Sequence, residues 1–277
     1  MAPGSDHEKD PQFAYTLAKG LQVLSVFGAG EARLSNREIA AATGMSRPTV
    51  ARLTRTLSML GYLKYDASEA RYRLTVSMLR LVYPLLSQLT VRQLARPLMQ
   101  ELAVYARGSV SIGMRDGLDI IVVETCVENP ATSARPEVGI ARPIILTAFG
   151  RAYLAAAEPD ERESILKSIR QDGRYDFSKF NADLKREMAR YKAEGFCIAR
   201  DTHRIGFHAV AVPFRANPSA DLMVFNCAIA SFQLRKNALE TDIGPRLVHL
   251  QQNIEMLLGA NPTTKWPPLR PSKTTNA

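Results

Sequence analysis

Leu17, Leu21 and Leu24, followed by Val26 and Phe27, recur at helical spacing, and the pattern stops near Gly28 and Gly30. Ser35-Asn36-Arg37-Glu38 then has the form of a capping box, in which the Ser35 hydroxyl accepts from the Glu38 amide while the Glu38 carboxylate reaches back. Residues 39–42 predict a short helix that breaks at Thr43-Gly44-Met45. Ser46 opens a second helix, and Pro48 is tolerated in its first turn. There Val50, Leu53, Leu57 and Leu60 form one apolar face, while Pro48, Arg52 and Arg55 fall on the opposite face at about 100° per residue. A small helix, a glycine turn and a helix presenting basic residues outward predict a helix-turn-helix. Past Gly61, residues 62–65 and 71–74 read as two short strands joined by the polar run 66–70, a hairpin wing carrying Lys64, Arg71 and Arg73.

Residues 76–89 are apolar and helical, with Pro84 expected to bend or interrupt them, and 94–106 give another amphipathic helix. The second half alternates element types. Strands are expected at 110–114 and 120–124 around Asp116-Gly117, then at 196–199, 209–214 and 222–229. Helices are expected at 148–157, 182–193 and 241–258. The expected organisation is a flexible leader (1–14), a winged helix-turn-helix (15–75), a linker helix (76–90), a larger α+β domain (91–259) and a mobile tail (260–277) holding Trp266.

Composition sharpens this picture at one place. The chain carries a net charge of +9, and residues 33–80 hold nine basic side chains against three acidic ones, so two thirds of the excess sits in under a fifth of the length. That concentration suits a polyanion partner bound by the first domain. A hydrophobic fraction of 46% and a charged fraction of 23% exclude a disordered polymer. Cys126, Cys197 and Cys227 are scattered and form no CxxC, so they read as reduced thiols of a cytoplasmic protein. The segment 1–10 lacks the apolar core of a signal peptide, and no run of about 18 apolar residues occurs.

The runs LAKGLQVLSVF, LSNREIAAATGMSRPTVARLTRTLSMLGYLKYD and RYRLT resemble the N-terminal domain of IclR-type (isocitrate lyase regulator-like) bacterial transcription regulators. VGIARPIILTAFGRAYLAA and YKAEGFCIARDTHRIGFHAVAVPFR continue the resemblance, which spans about Thr16 to Leu258. It implies a GAF-like effector domain with an antiparallel sheet flanked by helices, a pocket for a small organic or aromatic acid, no cofactor, and dimers often paired into tetramers on DNA. Mapped by segment, it puts the pocket near Thr147, Ala148, Phe149, Asp201, Phe207, Ala209, Asn226 and Ala228. Ala199-Arg200-Asp201-Thr202 departs from the acidic loop of many members. Asn226-Cys227-Ala228-Ile229 replaces their Ser-x-Ser-Gly-Pro strand end and is more similar to the branch regulating aromatic-acid catabolism.

The expected DNA contacts are Ser46, Arg47, Pro48, Thr49, Arg52 and Arg55 on the second helix, with Arg37, Lys64, Arg71 and Arg73 around it. Wing arginines suit backbone or minor-groove contact better than base reading. Competing readings are weaker. Cys197, Cys227, His203 and His208 have no metal-ligand spacing. Ser111, His208 and Asp201 could make a triad, but the chain has no GxSxG, P-loop or GxGxxG. A nonspecific architectural binder would not need a large second domain with a pocket.

Overall fold

The computed structural model describes residues 10–28, 32–128, 138–217 and 219–259. Most of the expected leader, Gly30, and the whole expected tail with Trp266 lie outside the described residues. The chain divides into two compact units, Met1–Gln88 and Leu89–Ala277.

The first unit begins with α1 (Tyr15–Ser25), α2 (Asn36–Thr43) and α3 (Arg47–Met59), followed by β1 (Leu63–Asp66) and β2 (Arg71–Leu74). The capping box at the start of α2 forms as its spacing requires: the Glu38 amide donates to Ser35 Oγ at 3.3 Å, and the Ser35 amide donates to Glu38 Oε2 at 2.8 Å. Gly44 ends α2 at φ +71°, a left-handed conformation that lets the chain turn sharply into α3. Val23, Leu34, Ile39, Val50, Leu53, Leu57 and Leu63 make one core. Leu60 is the exception to the apolar face read from sequence. It is 63% exposed, because it sits at the C-cap where the chain already leaves α3 for Gly61. Thr54 fills the face instead; its buried hydroxyl donates to Asn36 Oδ1 and Val50 O, both at 3.0 Å, and ties α3 to the first residue of α2. The two-stranded wing pairs Leu63 with Leu74 and Lys64 with Arg73, and Leu34 bridges to Tyr72 beside it. A 3-10 turn (Val76–Met78) leads into α4 (Leu79–Gln88), which runs through Pro84 without interruption and buries none of its side chains.

The second unit opens with α5 (Thr90–Ala106), then β3 (Ser109–Asp116), β4 (Asp119–Val127) and β5 (Ala141–Pro143). A 3-10 turn (Ile144–Leu146) precedes α6 (Ala148–Ala156), α7 (Pro159–Asp172) and α8 (Phe177–Glu194). β6 (Cys197–Arg200), β7 (Phe207–Phe214) and β8 (Met223–Ala230) complete a six-stranded antiparallel sheet in the order β5-β4-β3-β8-β7-β6. A π-turn (Leu239–Ile243) starts the closing helix α9 (Gly244–Leu257).

Alternation along the strands sends Val210, Val212, Phe225, Cys227 and Ile229 into one core with α5 and α9. Cys197, Ala199, Ala211 and Val224 face the other core, against α6, α7 and α8. β6 is an edge strand, and its exposed backbone is closed by side chains: Arg151 Nη1 donates to Ile198 O at 2.6 Å, and the Ile198 amide donates to Glu187 Oε2 at 2.7 Å. β5 and α7 are absent from the sequence reading. α7 carries a Pro at its start, Asp160 and Glu161 in its first turn and Gly173 after its end, but buries only Ile165 and Ile169, too sparse a stripe to register as periodicity.

Candidate functional site

Two sites emerge, one in each unit. On the first, Pro48, Arg52 and Arg55 of α3 are exposed on the side away from Val50, Leu53 and Leu57, and Arg47 is exposed at the start of the helix. Thr49 is half-buried, and its hydroxyl lies 2.9 Å from that of Ser46, which occupies the N-cap position without bonding a backbone amide. Among the described residues, Arg37, Arg47, Arg52, Arg55, Lys64 and Arg73 have no acidic partner. The wing register sets Lys64 directly opposite Arg73. Two like charges opposed across a strand pair repel, so this arrangement is unfavourable until an anion arrives. Arg71 differs: Nη2 pairs with Glu38 Oε1 at 2.7 Å and Nη1 donates to Arg33 O at 2.8 Å, which pins the wing to α2. Arg33 is likewise held by Glu69 and Asp66.

On the second unit, a cavity of about 110 Å³ opens between the loop ahead of α6, the loop after β6, and β7 and β8. Thr147, Ala148, Phe149, Phe207, Ala209, Asn226 and Ala228 all line it. Strand alternation brings the last four together, since Ala209 pairs with Ala228 and Ala211 with Asn226 on one face. Gly150 sets the wall: a Cβ there would land on the backbone of Ile144, so only glycine lets the first turn of α6 close against the preceding 3-10 turn. Thr147 serves as the N-cap of α6; its hydroxyl accepts from the Gly150 amide at 3.2 Å and donates to Pro143 O at 2.9 Å, so its proton is already committed. Asp201 does not line the cavity. It is exposed, accepts from the Gly206 amide at 2.8 Å and lies 3.1 Å from His208 Nε2, and these bonds hold its carboxyl below the usual range.

Sequence reasoning missed the charged end of this cavity, formed by Arg142, His203 and Arg204. Arg142 Nη1 lies 3.0 Å from His203 Nε2, and the Arg204 guanidinium sits 4.3 Å over the Phe207 ring. Partial desolvation and then the Arg204 charge push the Arg142 pKa down; desolvation at the cavity mouth, Arg142 and Arg204 do the same to His203, which with Arg204 is exposed at the rim. No acidic side chain balances them among the described residues. The available signal was an acid-free run, 138–157, containing Arg142 just ahead of Thr147, together with His203-Arg204 just ahead of Phe207.

The imagined triad does not assemble. Ser111 is buried on β3 with its hydroxyl 2.9 Å from that of Thr125, while His208 is engaged with Asp201. No group of three or more His, Cys, Asp or Glu side chains that could hold a metal occurs among the described residues, and no described helix is long and apolar enough to cross a membrane.

Comparison with known proteins agrees with this architecture. The IclR helix-turn-helix domain matches residues 16–67, and the bacterial transcriptional regulator IclR C-terminal domain matches residues 84–244. The HTH-type transcriptional regulator TsaQ1/TsaQ2 of Comamonas testosteroni is 28% identical, with 91% of each chain covered. The crystal structure of an IclR family transcriptional regulator from Brucella abortus is 38% identical with a TM-score of 0.77, over 92% of this chain and 97% of that one. An IclR homologue from Microbacterium hydrocarbonoxydans, crystallised with 4-hydroxybenzoate, shares the fold at 20% identity and a TM-score of 0.72, over 89% of this chain and all of the other. With both of its domains matched in order and the second match alone spanning more than half its length, the chain belongs to the IclR family of bacterial transcription regulators, and it is not an enzyme.

Proposed function

We propose that this regulator reads operator DNA through α3 and the wing, as a dimer, and that a small aromatic or short organic acid in the second unit controls that reading. The observation carrying the DNA part is the set of cations on one unit that have no acidic partner among the described residues: Arg47, Arg52 and Arg55 on α3, with Lys64 opposite Arg73 on the wing. A helix of this kind enters a major groove, and flanking cations neutralise phosphates. Each neutralised phosphate adds about −0.9 to the slope of log K against log salt. A salt titration on a fragment selected by the protein and on random DNA therefore tests the reading. A steep slope shared by both, with tighter binding only to the selected fragment, is expected. Equal affinity for the two would leave only an architectural binder.

One winged helix covers a single half-site, so sequence-specific binding favours a two-fold pair. Val76, Leu79, Leu81, Val82, Tyr83 and Leu85 expose large apolar side chains along one stretch, which supports burial of that stretch against a second copy. Sedimentation should show a dimer or tetramer at micromolar concentration; a monomer both free and on DNA would refute this.

The pocket supports the sensing part. Phe149, Phe207, Ala209 and Ala228 give apolar wall, and Asn226 offers an amide. A protein cavity of roughly 150 Å³ holds benzene, so about 110 Å³, open at one side, suits a single ring or a short chain. That 4-hydroxybenzoate accompanies a protein of this fold is consistent with it. Thermal-shift screening of single-ring acids is the direct test.

A further inference from the structure

The polar end of the cavity has a chemistry of its own. A guanidinium only donates hydrogen bonds. Arg142 Nη1 at 3.0 Å from His203 Nε2 therefore requires that nitrogen to accept, so His203 is neutral with its proton on Nδ1. The charged groups acting on His203 from the elements around it are Arg142, from β5, and Arg204, from its own loop, and both are positive. Two guanidinium groups and an imidazole thus converge on one end of a cavity whose other walls are Phe149, Phe207 and aliphatic side chains, with Thr147, Thr202 and Asn226 as its neutral polar groups. Arg204 is already oriented by its stacking on Phe207. Other arginines drawn out of water in this unit meet carboxylates: Arg151 with Asp183, Arg92 with Glu124, Arg190 with Glu187. Here no carboxylate of the described residues pairs with Arg142 or Arg204.

We propose that Arg142, His203 and Arg204 form the anion-binding end of the effector pocket, and that His203 takes up a proton when a carboxylate enters. This rests on the sensing reading above and assigns the ligand's orientation: carboxylate toward Arg142 and Arg204, ring toward Phe149 and Phe207. The carboxylate competes with His203 for the Arg142 donors and supplies the negative charge that imidazolium needs. Nε2, released from Arg142, becomes the protonated atom, and the proton comes from solvent. Affinity is then tightest on the acid side of the free-protein pKa of His203, at pH values where the ligand's carboxylate is still ionised, about pH 4 and above. It falls as pH rises between the pKa values of His203 in the free and bound protein, by up to tenfold per pH unit, and levels off above both.

Isothermal titration of the full chain with benzoate and 4-hydroxybenzoate, in two buffers of different ionisation enthalpy at one pH, tests this directly. Proton uptake on binding is expected, and His203→Gln should abolish it. Benzamide, the neutral analogue, should bind at least about tenfold more weakly than benzoate, since a hydrogen bond to a charged group contributes more than the energy of one such factor. Arg142→Gln should erase that preference, and Arg142→Lys, which keeps the charge, should restore part of it. Acid binding with no proton uptake, uptake that persists in His203→Gln, or equal affinity for amide and acid would overturn the proposal while leaving sensing intact. If neither acid binds wild-type protein whose fold is verified by circular dichroism, the single-ring sensing reading falls and takes this proposal with it.

Discussion

Arg142 and Arg151 stand nine residues apart, on either side of the turn that opens α6, and both are drawn out of water. Arg151 is 2% exposed, donates to Ile198 O, pairs with Asp183 at 3.3 Å and has Glu187 nearby. Burial pulls its pKa down, while Asp183 and Glu187 pull it back. Arg142 is half-buried, and the Arg204 charge adds to the burial penalty instead of relieving it. A similar division runs through the first unit, where Arg71 and Arg33 are held by Glu38, Glu69 and Asp66 while Arg52 and Arg55 have no acidic partner among the described residues. A compensated arginine keeps the fold together. An uncompensated one that is partly buried, as Arg142 is, carries an electrostatic cost that an anion from outside would relieve, while exposed ones such as Arg52 and Arg55 remain solvated and free to meet phosphate.

The largest effect should come from breaking the compensated set. Removing one partner of a buried pair typically costs 3–5 kcal/mol, because the other charge and its hydrogen-bond acceptors are left stranded. Arg151→Met leaves Ile198 O on the edge of β6 without its donor and takes one of two arginines from Asp183, which keeps Arg186 Nη2 at 2.9 Å. Asp183 keeps about a quarter of its side chain in water, so a loss of roughly 3 kcal/mol is expected, at the lower end of that range. Urea unfolding followed by circular dichroism would measure it. The paired experiment, Arg142→Met, should leave the unfolding midpoint unchanged or raise it. Equal destabilisation by the two substitutions would erase the distinction between them.

Next come the cations of α3. A bidentate arginine on a guanine contributes about 1–3 kcal/mol of discrimination. Arg52→Ala and Arg55→Ala should therefore weaken binding to a selected DNA fragment about tenfold or more wherever that residue reads a base, with unfolding unaffected. Arg71→Ala should do the reverse, loosening the wing while changing the DNA salt slope little, because its charge is already spent on Glu38. Retained affinity in both Arg52→Ala and Arg55→Ala at physiological salt would remove α3 as the reading helix.

The parts of this molecule legible in sequence are those that local rules determine. The capping box at Ser35 and Glu38, the turn at Gly44, the buried face of Val50, Leu53 and Leu57, and the alternating strands around Phe207–Phe214 follow from hydrogen-bond valence and side-chain period alone. What escaped depends on tertiary contact. Leu60 looked internal by period but lies past the point where α3 ends. Thr54, which has no place in the apolar face read from period, is buried, and its hydroxyl donates to Asn36, eighteen residues away. Asp201 was placed in the pocket by segment, yet its carboxylate turns to the Gly206 amide and His208. Arg142 and His203 are sixty-one residues apart, and no local pattern couples them; their lack of acidic neighbours becomes visible only when the strands are assembled.

Helix capping gives a smaller effect on the compensated side. Ser35→Ala removes the acceptor for the Glu38 amide and one donor to the Glu38 carboxylate, and such losses cost about 1 kcal/mol. The start of α2 should fray, seen as faster amide hydrogen exchange at Glu38 and Ile39 with exchange in the second unit unchanged. Uniform acceleration across both units would mean that the box stabilises more than the helix start.

The smallest expected effect is a pH dependence confined to the same turn. Glu38 accepts from the Ser35 amide and hydroxyl and pairs with Arg71; the amide bond is the leading cause that holds its carboxyl below the usual carboxylate range. A carboxyl whose pKa is depressed by folding contributes stability that is complete above its ordinary pKa and disappears as pH falls through the depressed value. Glu38→Gln mimics the protonated form. At neutral pH its α2 amides should exchange faster than those of the wild type, and the difference should close on acidification toward about pH 3, below the ordinary range for glutamate. Asp66 is also depressed, chiefly by bonds from Ser68, so the wing will contribute its own acid sensitivity, but that component is common to both proteins and cancels in the comparison. A gap between wild type and Glu38→Gln that stays constant with pH would show that the carboxylate's charge plays no part in holding α2 against the wing.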